Sequence, residues 1–133
     1  MSDNTLQRAE RLRSLKAIRR LFADGRGGFV YPFRYMFFVE AADAEAGDAE
    51  CGIEAMFSVP KKFHKRANKR NLLKRRTREA FRQSAEREVL RQRVKERSCA
   101  VNLAFIYSTK EVHSYKTINN AVQRILGQIS EGL

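Results

Sequence analysis

The sequence predicts an α+β fold, a two-layer sandwich in which helices cover one face of a sheet, and three observations carry that expectation. Apolar residues recur at three- and four-residue steps near both ends of the chain, as on amphipathic helices. They alternate at every second position in three short runs, 33–39, 53–59 and 101–107, as on strands. A helix-forming stretch joins the last two runs, the connection that two strands of one sheet and a covering helix require. At 133 residues the chain is read as one domain, 1–133, with an ordered core over about 11–129. Area scaling buries roughly 68% of the extended-chain surface, enough for a core without staples.

In chain order, Leu12, Leu15, Ile18 and Phe22 mark a short first helix, with Ser14 as N-cap and Asp24-Gly25 as its stop. Arg11, Arg19 and Arg20 fall on its polar side. Gly25, Gly27 and Gly28 read as a flexible exit before Phe29-Val30-Tyr31-Pro32. The aromatic run from Phe33 to Val39 is a strand with Phe33, Tyr35 and Phe37 on one face. Between Glu40 and Glu54 there are six acidic residues and no basic ones, so about 40–52 is expected to be a solvated hairpin loop, held away from phosphate surfaces by its charge. Ile53, Ala55, Phe57 and Val59 alternate with Glu54, Met56 and Ser58 as a half-buried strand, which Pro60 ends because it lacks a ladder donor. Helix formers dominate from about Ala67 onward. Val101, Leu103, Phe105 and Tyr107 then form a strand, and Ile118, Val122, Ile125 and Ile129 a closing helix capped by Ser114 or Thr117. The order is helix, two or three strands, helix, strand, helix, at its fullest α-β-β-β-α-β-α, with the further helices expected on the same face of the sheet.

Charge narrows the function. Lys and Arg number 27 against 15 Asp and Glu, a net +12 with a pI near 10.3, which points to polyanionic partners and first to nucleic acid. Cys51 and Cys99 are far apart and without a neighbouring His or Cys, so neither a disulfide framework nor a zinc site is supported. No apolar run approaches the roughly 18 residues of a membrane span, and the polar start carries no secretory stretch; a soluble, cytoplasmic protein is expected.

The charge is concentrated. From Lys61 to Arg78 there are ten Lys or Arg and no acid. On a helical wheel Asn71, Lys74, Arg75, Arg78 and Arg82 share one stripe, while Leu73, Thr77, Ala80 and Ser84 lie opposite; Arg76 borders the apolar side, where its stem can pack. Successive stripe charges are about 5–6 Å apart, close to phosphate spacing on a nucleic-acid strand. An ordinary solvated face mixes signs, because like charges at i, i+4 repel by a few tenths of a kcal/mol. The Lys74-Arg78-Arg82 stack does not, so the expected counter-charge is a bound polyanion. A nuclease acting by itself would need an acid-base pair. The only histidines, His64 and His113, are read as surface residues, and the carboxylates between Asp43 and Glu54 do not face the basic stripe. A helix-turn-helix DNA reader is disfavoured because strands flank the basic helix.

Phe57-Ser58-Val59-Pro60-Lys61-Lys62 followed by Lys69-Arg70-Asn71-Leu72-Leu73-Lys74-Arg75-Arg76-Thr77-Arg78-Glu79-Ala80-Phe81-Arg82 closely resembles the signature of the protein subunit of bacterial ribonuclease P. The resemblance runs from about Arg11 to Ile129, with Leu72 where the family carries a second arginine and a longer connection over 63–68 that shifts weight to Arg66, Lys69 and Arg70. It implies a ribonuclease P protein-like fold with a left-handed βαβ crossover, against the usual hand. It further implies a non-catalytic chain in a ribonucleoprotein whose RNA cleaves precursor tRNA at the 5′ end, with Mg2+ in the assembled particle and no cofactor or metal held by the protein alone. The implied partners are the catalytic RNA and precursor tRNA, with no membrane and no DNA.

Carried over by residue, the RNA-binding set is Lys61, Lys62, Arg66, Lys69, Arg70, Asn71, Lys74, Arg75, Arg78 and Arg82. Phe22, Phe33, Tyr35 and Phe37 are the candidates for a groove that holds the single-stranded leader, where aromatics stack on unpaired bases; the competing expectation for each is core packing. The rival function is a ribosomal or ribonucleoprotein-assembly protein with no role in tRNA processing.

Overall fold

The computed structural model describes residues 15–41 and 52–133. Its elements are α1 (Leu15–Asp24), β1 (Arg26–Val30), β2 (Phe33–Ala41), β3 (Gly52–Ser58), α2 (Ala67–Arg82), α3 (Ala85–Glu96), β4 (Cys99–Tyr107) and α4 (Tyr115–Glu131). Arg11, Leu12, Ser14, Cys51 and positions 42–51 of the acidic segment lie outside the described residues.

One sheet has the strand order β1-β2-β4-β3, with β1-β2 and β2-β4 antiparallel and β3-β4 parallel. The most apolar strand takes a central place: Val101, Asn102, Leu103, Ala104 and Phe105 are all buried. Helices α2 and α3 form the crossover between the parallel neighbours β3 and β4.

The main core lies between the sheet and the layer of α2, α3 and α4. Phe33, Tyr35, Ile53, Ala55, Leu103, Phe105 and Tyr107 from the strands meet Leu73, Phe81, Leu90, Val94, Ile118, Ile125 and Ile129 from the helices. Phe105 anchors an aromatic cluster, stacked with Phe57 and edge-on to Phe33 and Phe81 at centroid distances of 5.7, 6.0 and 5.9 Å.

The structure departs from the sequence reading in three places. The helical stretch from Ala67 is divided at Ser84, which caps α3 by accepting the Arg87 N–H at 3.0 Å and also bonds Gln123 of α4. The signal was present, since Glu86 and Glu88 occupy the first turn of α3, where the helix dipole favours acids. The β2–β3 connection is not a hairpin: β4 lies between the two strands. Finally, α1 does not join the other helices. Leu21, with Ala17 and Ile18, packs on Met36, Phe38, Met56 and Ala104, the opposite face of the sheet. Arg20 fastens it there, with both guanidinium nitrogens on the Glu40 carboxylate at 3.0 and 2.7 Å and its plane 4.8 Å from the Phe38 ring. The 10 described residues of α1 cover part of that face, and among the described residues the rest is open.

Candidate nucleic-acid interface

Helix α2 buries Leu73, Thr77, Ala80 and Phe81 and turns the expected basic stripe outward. Asn71, Arg75 and Arg78 are exposed and Lys74 half-buried; Lys61, Lys62, Arg66 and Lys69 are exposed along the connection and first turn. Among the described residues no carboxylate lies within ion-pair reach of Lys61, Lys62, Arg66, Lys69, Arg70, Lys74, Arg75 or Arg78. The helix starts at Arg66 with no side-chain cap and no acid in the first turn. Cations gathered at the positive end of a helix dipole oppose helix stability, so the arrangement favours a bound anion rather than the isolated fold.

Two members of the set differ from a free cation. Arg82 is paired with Glu79, one turn back, and is partly neutralised. Arg70 donates to the carbonyls of His64 and Lys65 at 3.0 and 2.7 Å, tying the connection to the helix it precedes. Arg76 packs as expected near the apolar side, where it bonds the His113 carbonyl.

The groove residues divide. Phe22 is 44% exposed on α1. Phe33 is fully buried and Tyr35 is 8% exposed, both on the helix-covered face, with Phe37 packed against the same core. Tyr35 donates its hydroxyl to Gln128 of α4 at 2.8 Å and stacks on Phe37. These three aromatics therefore face the helix layer rather than the open side of the sheet. β2 carries large apolar residues on both faces, so alternation alone left open which face was covered.

The open face is lined by the other alternation. Ser58, Ile106, Arg34 and Phe29 are successive register partners, forming one row across all four strands. With strands about 4.8 Å apart the row is roughly 14 Å long. Arg34 and Phe29 are exposed, and the β3 end of the row leads through Val59-Pro60 into Lys61-Lys62. The sequence hides Phe29 because the glycines before it suggest a loop, and Arg34 because it is the polar position of the aromatic run from Phe33 to Val39. Gly27, Gly28 and Phe29 belong to β1 instead, and Gly28 is required there: a Cβ would stand 2.6 Å from the Tyr35 ring.

The histidines also differ from expectation. His64 is buried at 6% exposure, its Nε2 donating to the Thr109 carbonyl at 2.8 Å and its ring 5.7 Å from Tyr107. His113 is half-buried, with Nε2 hydrogen-bonded to the Tyr31 hydroxyl at 2.9 Å. Each is engaged in joining loops to the sheet. Burial raises the pKa of the Tyr107 phenol, while the His113 backbone N–H that it accepts draws it down in part. Among the described residues no group of three or more His, Cys, Asp or Glu is placed to hold a metal ion, and no helix is long and apolar enough to cross a membrane.

Comparison with known proteins agrees with this architecture. Residues 6–130 match the family model described as Ribonuclease P. The ribonuclease P protein components of two Porphyromonas gingivalis strains are each 30% identical over 125 residues, covering 94% of this chain and 86% of the relative. The fold is similar to that of Staphylococcus aureus RNase P protein, with a TM-score of 0.60 at 18% identity over 92% of this chain and 96% of that one. A mutant of the S. aureus protein gives a TM-score of 0.64, also at 18% identity, over 91% and 88% of the two chains. With a basic helix, an open sheet face and a family match over nearly its whole length, this chain belongs to the ribonuclease P protein family.

Proposed function

We propose that this chain, as the protein component of ribonuclease P, docks on the catalytic RNA through the basic face of α2 and holds the 5′ leader of precursor tRNA across the open sheet face. The observation that carries the reading is the continuity of the two surfaces. The unneutralised cations of α2 and its connection reach Lys61-Lys62, where the row from Ser58 to Phe29 begins.

The chemistry follows from the side chains. Each Lys or Arg that meets a phosphate releases condensed counterions, which brings two RNAs together with less free magnesium. A four-stranded sheet with an exposed aromatic and a cation presents a surface for two or three unpaired bases: Phe29 and Phe22 offer ring faces, and Arg34 a planar cation. This contribution is positional. Bond cleavage and the magnesium it uses are assigned to the assembled ribonucleoprotein, and the protein supplies affinity and orientation.

Reconstitution tests the reading. The purified chain should leave precursor tRNA intact, and should restore 5′ processing at low magnesium when added to a bacterial ribonuclease P RNA. Cleavage by the protein alone, or no gain with the RNA, would overturn it. RNA copurified from cells separates the rival: one abundant structured transcript supports this reading, and ribosomal RNA supports an assembly role.

A further inference from the structure

The row across the sheet ends at Phe29, but the exposed rings do not. Phe29 and Tyr31 are 59% and 50% exposed, with centroids 6.4 Å apart, and the His113 ring stands edge-on to Tyr31 at 5.2 Å. We propose that Tyr31 and His113, reached over Phe29, form a stacking platform at the β1–β2 turn, beyond the strand ends, that takes unpaired leader nucleotides lying upstream of those on the sheet. The inference rests on the reading that the leader crosses the sheet.

Three features support a built site. First, Tyr31 is held in place: its hydroxyl bonds Thr109 Oγ1 at 3.3 Å and His113 Nε2 at 2.9 Å, from a loop far away in sequence. An exposed ring that serves no ligand gains little from such fixing, whereas a preordered ring loses less freedom when a base stacks on it. Second, the loop presenting His113 is itself fastened, since the His113 N–H donates to the Tyr107 hydroxyl at 3.1 Å and its carbonyl accepts from Arg76. Third, the surrounding charge suits a polyanion. Arg34 pairs with Phe29 in register, Lys110 follows Thr109, and both are exposed. Among the described residues Glu111 is an acid at this end, its carboxylate 3.6 Å from His113 Nε2. Continuity with the row selects the leader as the occupant, because Phe29, the last residue of the row, is the exposed ring beside Tyr31.

The test uses holoenzyme reconstituted with a bacterial ribonuclease P RNA and two precursor tRNAs. One leader is just long enough to cross the sheet, and the other is extended by a few unpaired nucleotides. Tyr31→Leu should lower affinity for the long leader about tenfold, the order expected for one stacked base, and leave the short one unchanged. Tyr31→Phe, which keeps the ring and removes the hydroxyl, should retain most of the gain. Equal losses for both leaders, no loss for the long one, or weaker binding of the catalytic RNA without substrate would each overturn the platform. Arg34→Ala separates the two readings. It should weaken both leaders; no effect on either would refute the sheet reading and the platform with it, whereas a normal Arg34→Ala effect beside an unselective Tyr31→Leu would refute the platform alone. If Tyr31→Leu does not fold, 4-thiouridine in the extension of the wild-type complex should crosslink to Tyr31 or His113, and crosslinks confined to other segments would overturn the proposal.

Discussion

Arg70 lies inside the basic motif, yet its guanidinium is directed at the protein's own backbone. Arg70→Gln is therefore expected to lower stability by about 1–2 kcal/mol, the scale of a lost charged hydrogen bond, and to shift the thermal midpoint. Arg78→Gln, at an exposed site with no carboxylate partner among the described residues, should leave the midpoint unchanged and weaken RNA binding. Differential scanning fluorimetry beside an RNA titration separates the two roles. Gly28 is a packing requirement: the Tyr35 ring that a new Cβ would meet is held by Gln128 and Phe37, so Gly28→Ala should cost about 1–3 kcal/mol in a denaturant melt. Tyr107 adds a pH dependence. Its folded-state pKa is raised, so the unfolded chain releases the phenolic proton first. Stability should fall as pH rises above about 10, and Tyr107→Phe should flatten that limb of the melting curve.

At the scale of the element, α2 separates its two tasks by face. The buried side fixes it to Phe57 and Phe105 through Phe81, leaving the other side to carry charge. Substituting Lys74, Arg75 and Arg78 together by Gln should preserve the helix content and reduce the slope of log affinity against log salt by about 2–3, one unit or slightly less per lost phosphate contact. An unchanged slope would place the RNA interface elsewhere. This face was legible in the sequence because helical period and charge are both local. The break at Ser84 was harder to see, since strong helix formers continue on either side and the cap is completed by Gln123 from α4. β1 was masked by its glycines, whose use depends on a ring from the neighbouring strand.

For the molecule as a whole, the sheet has two unequal faces, one sealed by three helices and one shared between a short helix and solvent. In the proposed function that asymmetry makes the leader groove, with α1 as its wall. Leu21→Ala, removing a fully buried anchor of α1, should cost about 2–4 kcal/mol and loosen the wall. Affinity for precursor tRNA should then fall toward that for mature tRNA, while catalytic-RNA affinity, measured on the same preparation below its melting temperature, is retained.

By itself the sequence determined most of the elements, their order along the chain and the cationic helix face, because these follow from spacing within a few residues and from the sign of neighbouring charges. Only the tertiary structure decided that β4 separates β2 from β3, that α1 lies across the sheet from the other helices, and that Phe33, Tyr35 and Phe37 belong to the core while Arg34 and Phe29 face outward. The physical reason is that β2 is apolar on both sides. Which side is sealed depends on the total area that α2, α3 and α4 bury against it, a sum over residues far apart in the chain.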